Sequence, residues 1–232
     1  MTWTAEKGRL NRIIEEADRL RGLLHACPEA SGWEQKTKQL LTEYLRPEKT
    51  ENETSLFDMG KWFYLRHQEE GAEETIAFRA DMDAVTGPDG VPYHGCGHDG
   101  HSAVMAALAK ALEGEKTGKN LIFLFQHGEE TGEGAADCLT LFQREKVDRM
   151  YAFHNIPGFP AGSVMLREGT FACASRGLFL RFTGKQSHAA YPEYGNNPVY
   201  PMGELVAALP ELTSPERYRG MILLTPVCLQ AG

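Results

Sequence analysis

With 232 residues, 42% of them hydrophobic, the chain has enough apolar side chain for one large or two small domains with real cores, which excludes a disordered protein. Its formal net charge is -8 and its Lys and Arg residues are scattered, so it lacks the basic face that nucleic-acid binding requires. No stretch is apolar and long enough to span a bilayer, the first seven residues lack a signal-peptide pattern, and five widely spread cysteines fit free thiols in a reducing, cytoplasmic compartment.

The first predicted element is a helix: Leu10, Ile13, Ile14, Ala17, Leu20 and Leu24 recur at helical spacing with charges between them. Ser31-Gly32-Trp33-Glu34 reads as a capping box and predicts a second helix starting there and stopping before Pro47. Thr75-Ile76-Ala77-Phe78 is a short apolar run, expected as a buried strand. Residues 99–112 are rich in Ala, Met and Leu and favour helix. Leu121-Ile122-Phe123-Leu124-Phe125 is the clearest buried strand; residues 134–143 suit a helix, and Met150-Tyr151-Ala152-Phe153 a further strand. This alternation predicts an α/β domain over residues 1–172, with a mostly parallel, twisted sheet and flanking helices. Beyond it, a strand over 177–182, a helix over 198–209 and a strand over 221–224 predict a smaller β-α-β unit as a second domain, 173–232.

In open α/β sheets, ligands bind beyond the carboxyl ends of the strands. Three predicted strands each run into metal-competent side chains: Asp81 and Asp83 after the first, Glu129 and Glu130 after the second, His154 after the third. Between the first two lies Tyr93-His94-Gly95-Cys96-Gly97-His98-Asp99-Gly100-His101, whose glycines let the backbone bend so that a thiol and an imidazole reach one centre. Singly, each feature has a bland reading: a buried free cysteine, a solvated acidic pair, a satisfied core histidine. Together they predict one shared site. Thiolate, imidazole and carboxylate suit zinc or a similar late divalent metal. Adjacent carboxylates on a turning backbone point in different directions, so one can bind metal while the other faces the water nucleophile.

The motifs Arg79-Ala80-Asp81-Met82-Asp83-Ala84, His94-Gly95-Cys96-Gly97-His98-Asp99-Gly100-His101, Gln126-His127-Gly128-Glu129-Glu130 and His154-Asn155-Ile156-Pro157 occur in the order of a known family. The chain resembles the M20 metallopeptidase clan, and most of all its amidohydrolase branch of N-acyl-amino-acid, hippurate and auxin-conjugate hydrolases. Leu24-His25-Ala26-Cys27-Pro28-Glu29-Ala30-Ser31 and Gly184-Lys185-Gln186-Ser187-His188-Ala189-Ala190 are similar to the same branch. The resemblance implies a zinc-peptidase-like catalytic domain and two divalent ions (Zn, Mn, Co or Ni). Cys96 would bridge them, and His98, Glu130 and His154 would be terminal ligands. Glu129 would be the general base, Asp81 would stand beside the metals, and His188 would help hold the substrate's carbonyl oxygen. It also implies small acylated amino acids or short peptides as substrates, and a homodimer formed through the smaller domain, there a lid inserted into the catalytic domain.

The sequence departs from the family in several places. Arg79 stands where many clan members have a histidine ligand, His94-Gly95 replaces His-Ala, and Gln126-His127-Gly128 replaces Gln-Pro-Ala. Family members are considerably longer and carry a last histidine ligand in a segment that returns to the catalytic sheet. The expectation is therefore a C-terminally truncated amidohydrolase with an incomplete lid, short of one ligand and inactive or very weak on its own. Two other classes remain open: a non-catalytic remnant that binds metal or ligand, and a thiol hydrolase with Cys96 as nucleophile.

Overall fold

Ala17, Leu20 and Leu24 fall on one helical face and are buried, which lays the first helix, α1 (Trp3–His25), along the protein. The computed structural model describes residues 3–47, 53–220 and 222–231. It divides into two units, Met1–Ser163 and Val164–Gly232.

Helix α2 (Gln35–Tyr44) begins later than the capping-box reading requires. The box does not form, because both of its side chains are engaged elsewhere. Ser31 Oγ donates to Asp83 Oδ2, and Glu34 Oε1 accepts from the Gly32 and Gly128 backbone. Glu29 takes over at the helix start, its two carboxylate oxygens accepting the Lys36 and Thr37 N–H groups at 3.0 and 2.7 Å.

Next comes a hairpin to which the sequence pattern assigned nothing, β1 (Glu53–Asp58) and β2 (Phe63–Gln68). Strand β3 (Thr75–Asp81) leads through a two-stranded loop hairpin, β4 (Val85–Thr86) and β5 (Pro92–Tyr93), into α3 (His98–Leu112). Strand β6 (Asn120–Gln126) follows, then two short helices, α4 (Gly134–Cys138) and α5 (Leu141–Arg144), where one helix was expected, and finally β7 (Arg149–Ala152).

The five-stranded sheet has the order β1-β2-β6-β3-β7. β3 pairs parallel with β6 and β7, while β2 pairs antiparallel with both β1 and β6. The sheet is therefore mixed rather than mostly parallel: a tight hairpin makes β2 run opposite to β1, and β2 also lies antiparallel to β6. Alternation along the strands divides the core in two. Phe63, Leu65, Phe123 and Phe125 face α1, α2 and α3 with Leu24 and Leu41, whereas Tyr64, Ile122 and Leu124 face Cys138 and Leu141 on the other side. The Phe63 and Phe125 rings stack at 4.6 Å. The layers are thus helix, sheet, helix. They leave the carboxyl ends of the parallel strands β3, β6 and β7 at one edge.

In the second unit, α6 (Val199–Leu212) forms where a helix was expected. The strand expected over 177–182 does not form, and neither does one at 222–224; Met221 lies outside the described residues. A strand exists only through a partner's amides and carbonyls, and the pairing in this unit is one isolated bridge, Lys185–Asn196, among the described residues. Leu178, Phe179 and Leu180 accordingly stay exposed. No helix among the described residues is long and apolar enough to cross a membrane.

Candidate metal centre

The parallel register of β3 and β6 sets Asp81 opposite Gln126, so the turns after the two strands leave from the same level. Asp81 ends β3 and is buried. Its Oδ1 accepts from His101 Nδ1 at 2.7 Å and its Oδ2 from Arg79 Nη1 at 2.7 Å. Burial alone would raise this carboxyl's pKa. The His101 bond and the Arg79 and His98 charges outweigh it and hold the group at about 2.

Gly97, at a left-handed φ of 84°, turns the chain between Cys96 and His98 and caps α3. A β-carbon there would press on the Asn155 side chain at 3.0 Å, so glycine is also needed for the close approach. His98, the first residue of α3, is buried. Its Nδ1 donates to the Asp83 carbonyl at 2.9 Å and to Asp83 Oδ1 at 3.1 Å. That fixes the ring and leaves Nε2 buried with no hydrogen-bond partner. Around Nε2 stand Glu130 Oε1 at 3.6 Å, Asp81 Oδ2 at 3.8 Å and Glu129 Oε2 at 3.9 Å. These separations are too long for hydrogen bonds. They match ligands of a shared ion, since two atoms each about 2.1 Å from one tetrahedral cation lie about 3.4 Å apart.

After β7, His154 Nδ1 donates to the Asn155 carbonyl at 2.8 Å, which turns Nε2 toward Cys96 Sγ at 3.2 Å. Cys96, His98 and His154 thus form one group of converging ligand atoms, and His98, Glu129 and Glu130 form another. His98 belongs to both, and to a third with Asp81 and His101. An orphaned, buried imidazole nitrogen between a thiol–imidazole pair and two carboxylates fits a divalent cation. Burial first, and then the Glu130 charge, push the Cys96 thiol up to about 11, so on its own this sulfur stays protonated. Burial, with Asp81 and Glu130 nearby, also raises the Glu129 carboxyl above its ordinary value.

The structure therefore brings Asp81, Cys96, His98, Glu129, Glu130 and His154 together. His188 lies in the second unit, exposed, its Nδ1 accepting the Ala190 N–H at 3.1 Å. Sequence reasoning named Asp83 only as metal-competent and gave no role to His101; both are buried and both are bonded to this cluster. Their signal was present, since each sits inside a motif that carries a ligand or Asp81.

A family model described as peptidase family M20/M25/M40 matches residues 77–221. The chain belongs to that family. Within it, the chain is similar to N-acetyldiaminopimelate deacetylases: 28% identical to that of Listeria monocytogenes serotype 4a, over 87% of this chain and 57% of the relative, and 32% identical to that of Oenococcus oeni, over 86% and 56%. Among solved structures, the Bacillus subtilis YXEP protein, described as a dinuclear metal binding peptidase from the M20 family, is 28% identical with a TM-score of 0.58, covering 70% of this chain and 48% of that one. A crystal structure from methicillin resistant Staphylococcus aureus shares the fold at a TM-score of 0.64 and 22% identity, over 97% of this chain and 60% of its own. The chain spans a little over half the length of the curated relatives it matches.

Proposed function

We propose that the chain carries the metal centre of an amidohydrolase that removes the acyl group from N-acylated amino acids. The observation that carries this reading is His98 Nε2, buried, unpartnered and grouped with the ligand atoms of Cys96 and His154 and with those of Glu129 and Glu130. In this reading Cys96, His98, Glu130 and His154 hold two divalent ions. When bound, such ions polarise an amide carbonyl and acidify a water molecule. Glu129, half-buried and with a raised pKa, would serve there as the general base, accepting a proton from water and donating one to the leaving amine. Asp81 is held ionised by Arg79 and His101 and balances the charge beside His98. A role for His188 in holding the substrate's carbonyl oxygen rests on the Gly184–Ala190 motif, and a homodimer through the second unit rests on the family resemblance alone.

The names of the relatives make an N-acetylated diamino dicarboxylic acid the first substrate to try. Acetate release from N-acetyldiaminopimelate and from simple N-acetyl amino acids, with Mn, Co or Zn added, tests the reading. Any turnover the chain shows is expected to be abolished by chelation and lowered by Glu129→Gln, in line with the loss of a general base. Metal binding without turnover would favour a non-catalytic ligand site instead.

One observation favours a second reading. Cys96 Sγ lies 3.2 Å from His154 Nε2, the spacing of a thiol and its base. The raised Cys96 pKa weighs against it, because an activated cysteine needs a lowered one. Activity that resists chelators and is lost to iodoacetamide would reverse that judgement.

A further inference from the structure

Glu34 is a buried carboxylate, 4% exposed, and sits 94 residues from the turn it touches. Its Oε1 accepts the Gly128 N–H at 2.8 Å and the Gly32 N–H at 2.9 Å. It gives no capping bond to α2, the helix it precedes. Gly128 is the residue at which the chain turns out of β6, at a φ of 56°, and the next two residues are Glu129 and Glu130. The Gly128 carbonyl is also fixed, accepting Gly134 N–H at 3.1 Å. On the far side of the acidic pair, the Glu130 N–H donates to Asp83 Oδ2 at 2.9 Å. Asp83 Oδ2 in turn accepts Ser31 Oγ at 2.6 Å, and the Ala84 N–H donates to the Glu29 carbonyl at 2.8 Å.

The backbone that carries Glu129 and Glu130 is therefore held at both ends by buried carboxylates, and both are tied to the loop before α2. A buried carboxylate that faces backbone N–H groups is a fixed anchor. Removing it leaves a buried amide without a partner and frees the turn. We infer that Glu34 is a positioning residue for the acidic pair: through Gly128 it sets where Glu130 meets the metal and where Glu129 points. This inference rests on the metal-centre reading above and deepens it, since it names the loop before α2 as an outer support of the site.

The test is cobalt(II) affinity of the full chain, measured by competition with a chromogenic chelator, for the wild type and for Glu34→Gln, Glu34→Asp and Glu34→Ala. Glutamine keeps an oxygen in place to accept both N–H groups, whereas aspartate keeps the charge but is shorter by about 1.5 Å and loses Gly128. We expect Glu34→Gln to bind within about threefold of the wild type, and Glu34→Asp and Glu34→Ala to bind about 10–100-fold more weakly, the usual cost of losing an outer support of a metal ligand. Thermal midpoints of the metal-free proteins run alongside. A merely structural role lowers those midpoints and leaves cobalt affinity unchanged in Glu34→Asp, and that result overturns the inference. So does an equal loss in Glu34→Gln, which would make charge rather than placement the cause. Should Glu34→Ala fail to fold, the Gln and Asp variants carry the comparison. A wild-type chain that binds no cobalt removes the metal-centre reading itself, and the inference falls with it.

Discussion

Asp83 uses both carboxylate oxygens and its backbone carbonyl on the site. Oδ1 and the carbonyl hold His98 Nδ1, while Oδ2 holds the Glu130 N–H and the Ser31 hydroxyl. Without the side chain, Glu130 N–H loses its acceptor and the His98 ring keeps only the carbonyl contact. Asp83→Ala is expected to weaken zinc affinity about 10–100-fold, read by chelator competition, with the far-ultraviolet circular dichroism of the wild type preserved. An unchanged affinity would show that the ligand loops hold themselves. At this scale the sequence was legible where a side chain's role follows from its place on the chain. Cys96, His98, Glu130 and His154 each follow a strand exit or a glycine turn. Asp83 was legible as a metal-competent residue but its hold on the Glu130 N–H, 47 residues away, was not, and neither was Glu34, whose partner lies 94 residues away. Glu34 even carried a competing local signal, the capping box, which its actual partner overrides.

Strand β2 shows the same limit for whole elements. It is buried on both faces, with Phe63 and Leu65 toward one core and Tyr64 toward the other. It therefore lacks the polar alternation that marks a half-exposed strand. β3 and β6 were readable because their apolar runs stand between turn and loop residues. β2 also contains His67, 5% exposed, with neither ring nitrogen hydrogen-bonded and its ring 5.1 Å from that of Phe123. Burial lowers its pKa from 6.5 to about 4. The unfolded chain then binds the proton more readily than the folded one, so the contribution of the uncharged ring is complete above pH 6.5. It is lost progressively as pH falls toward 4, by about 3 kcal/mol in total. Urea unfolding between pH 7 and 4 should show this slope in the wild type, and His67→Leu should flatten it. Parallel curves for the two proteins would contradict the assignment.

For the whole molecule, the three layers and the site edge were legible from strand–helix alternation, and the mixed character of the sheet was not. Alternation reports which segments cross over through helices and is silent about a hairpin added at one side. In the second unit, α6 was legible from its composition, while the expected strands are missing because period alone supplies no pairing partner. Membership of the M20/M25/M40 family accounts for the converging ligands, and the names of the relatives narrow the substrate to be tried. All of it depends on Cys96, His98, Glu130 and His154 meeting at metal with Glu129 beside them. Anomalous diffraction at the zinc edge, from crystals of the chain grown with zinc, tests that convergence most directly. We predict anomalous peaks about 2.0–2.3 Å from Cys96 Sγ, His98 Nε2, His154 Nε2 and a Glu130 oxygen. Ordered density for these side chains with no peak among them, or with Glu129 and Glu130 turned out to solvent, would contradict it.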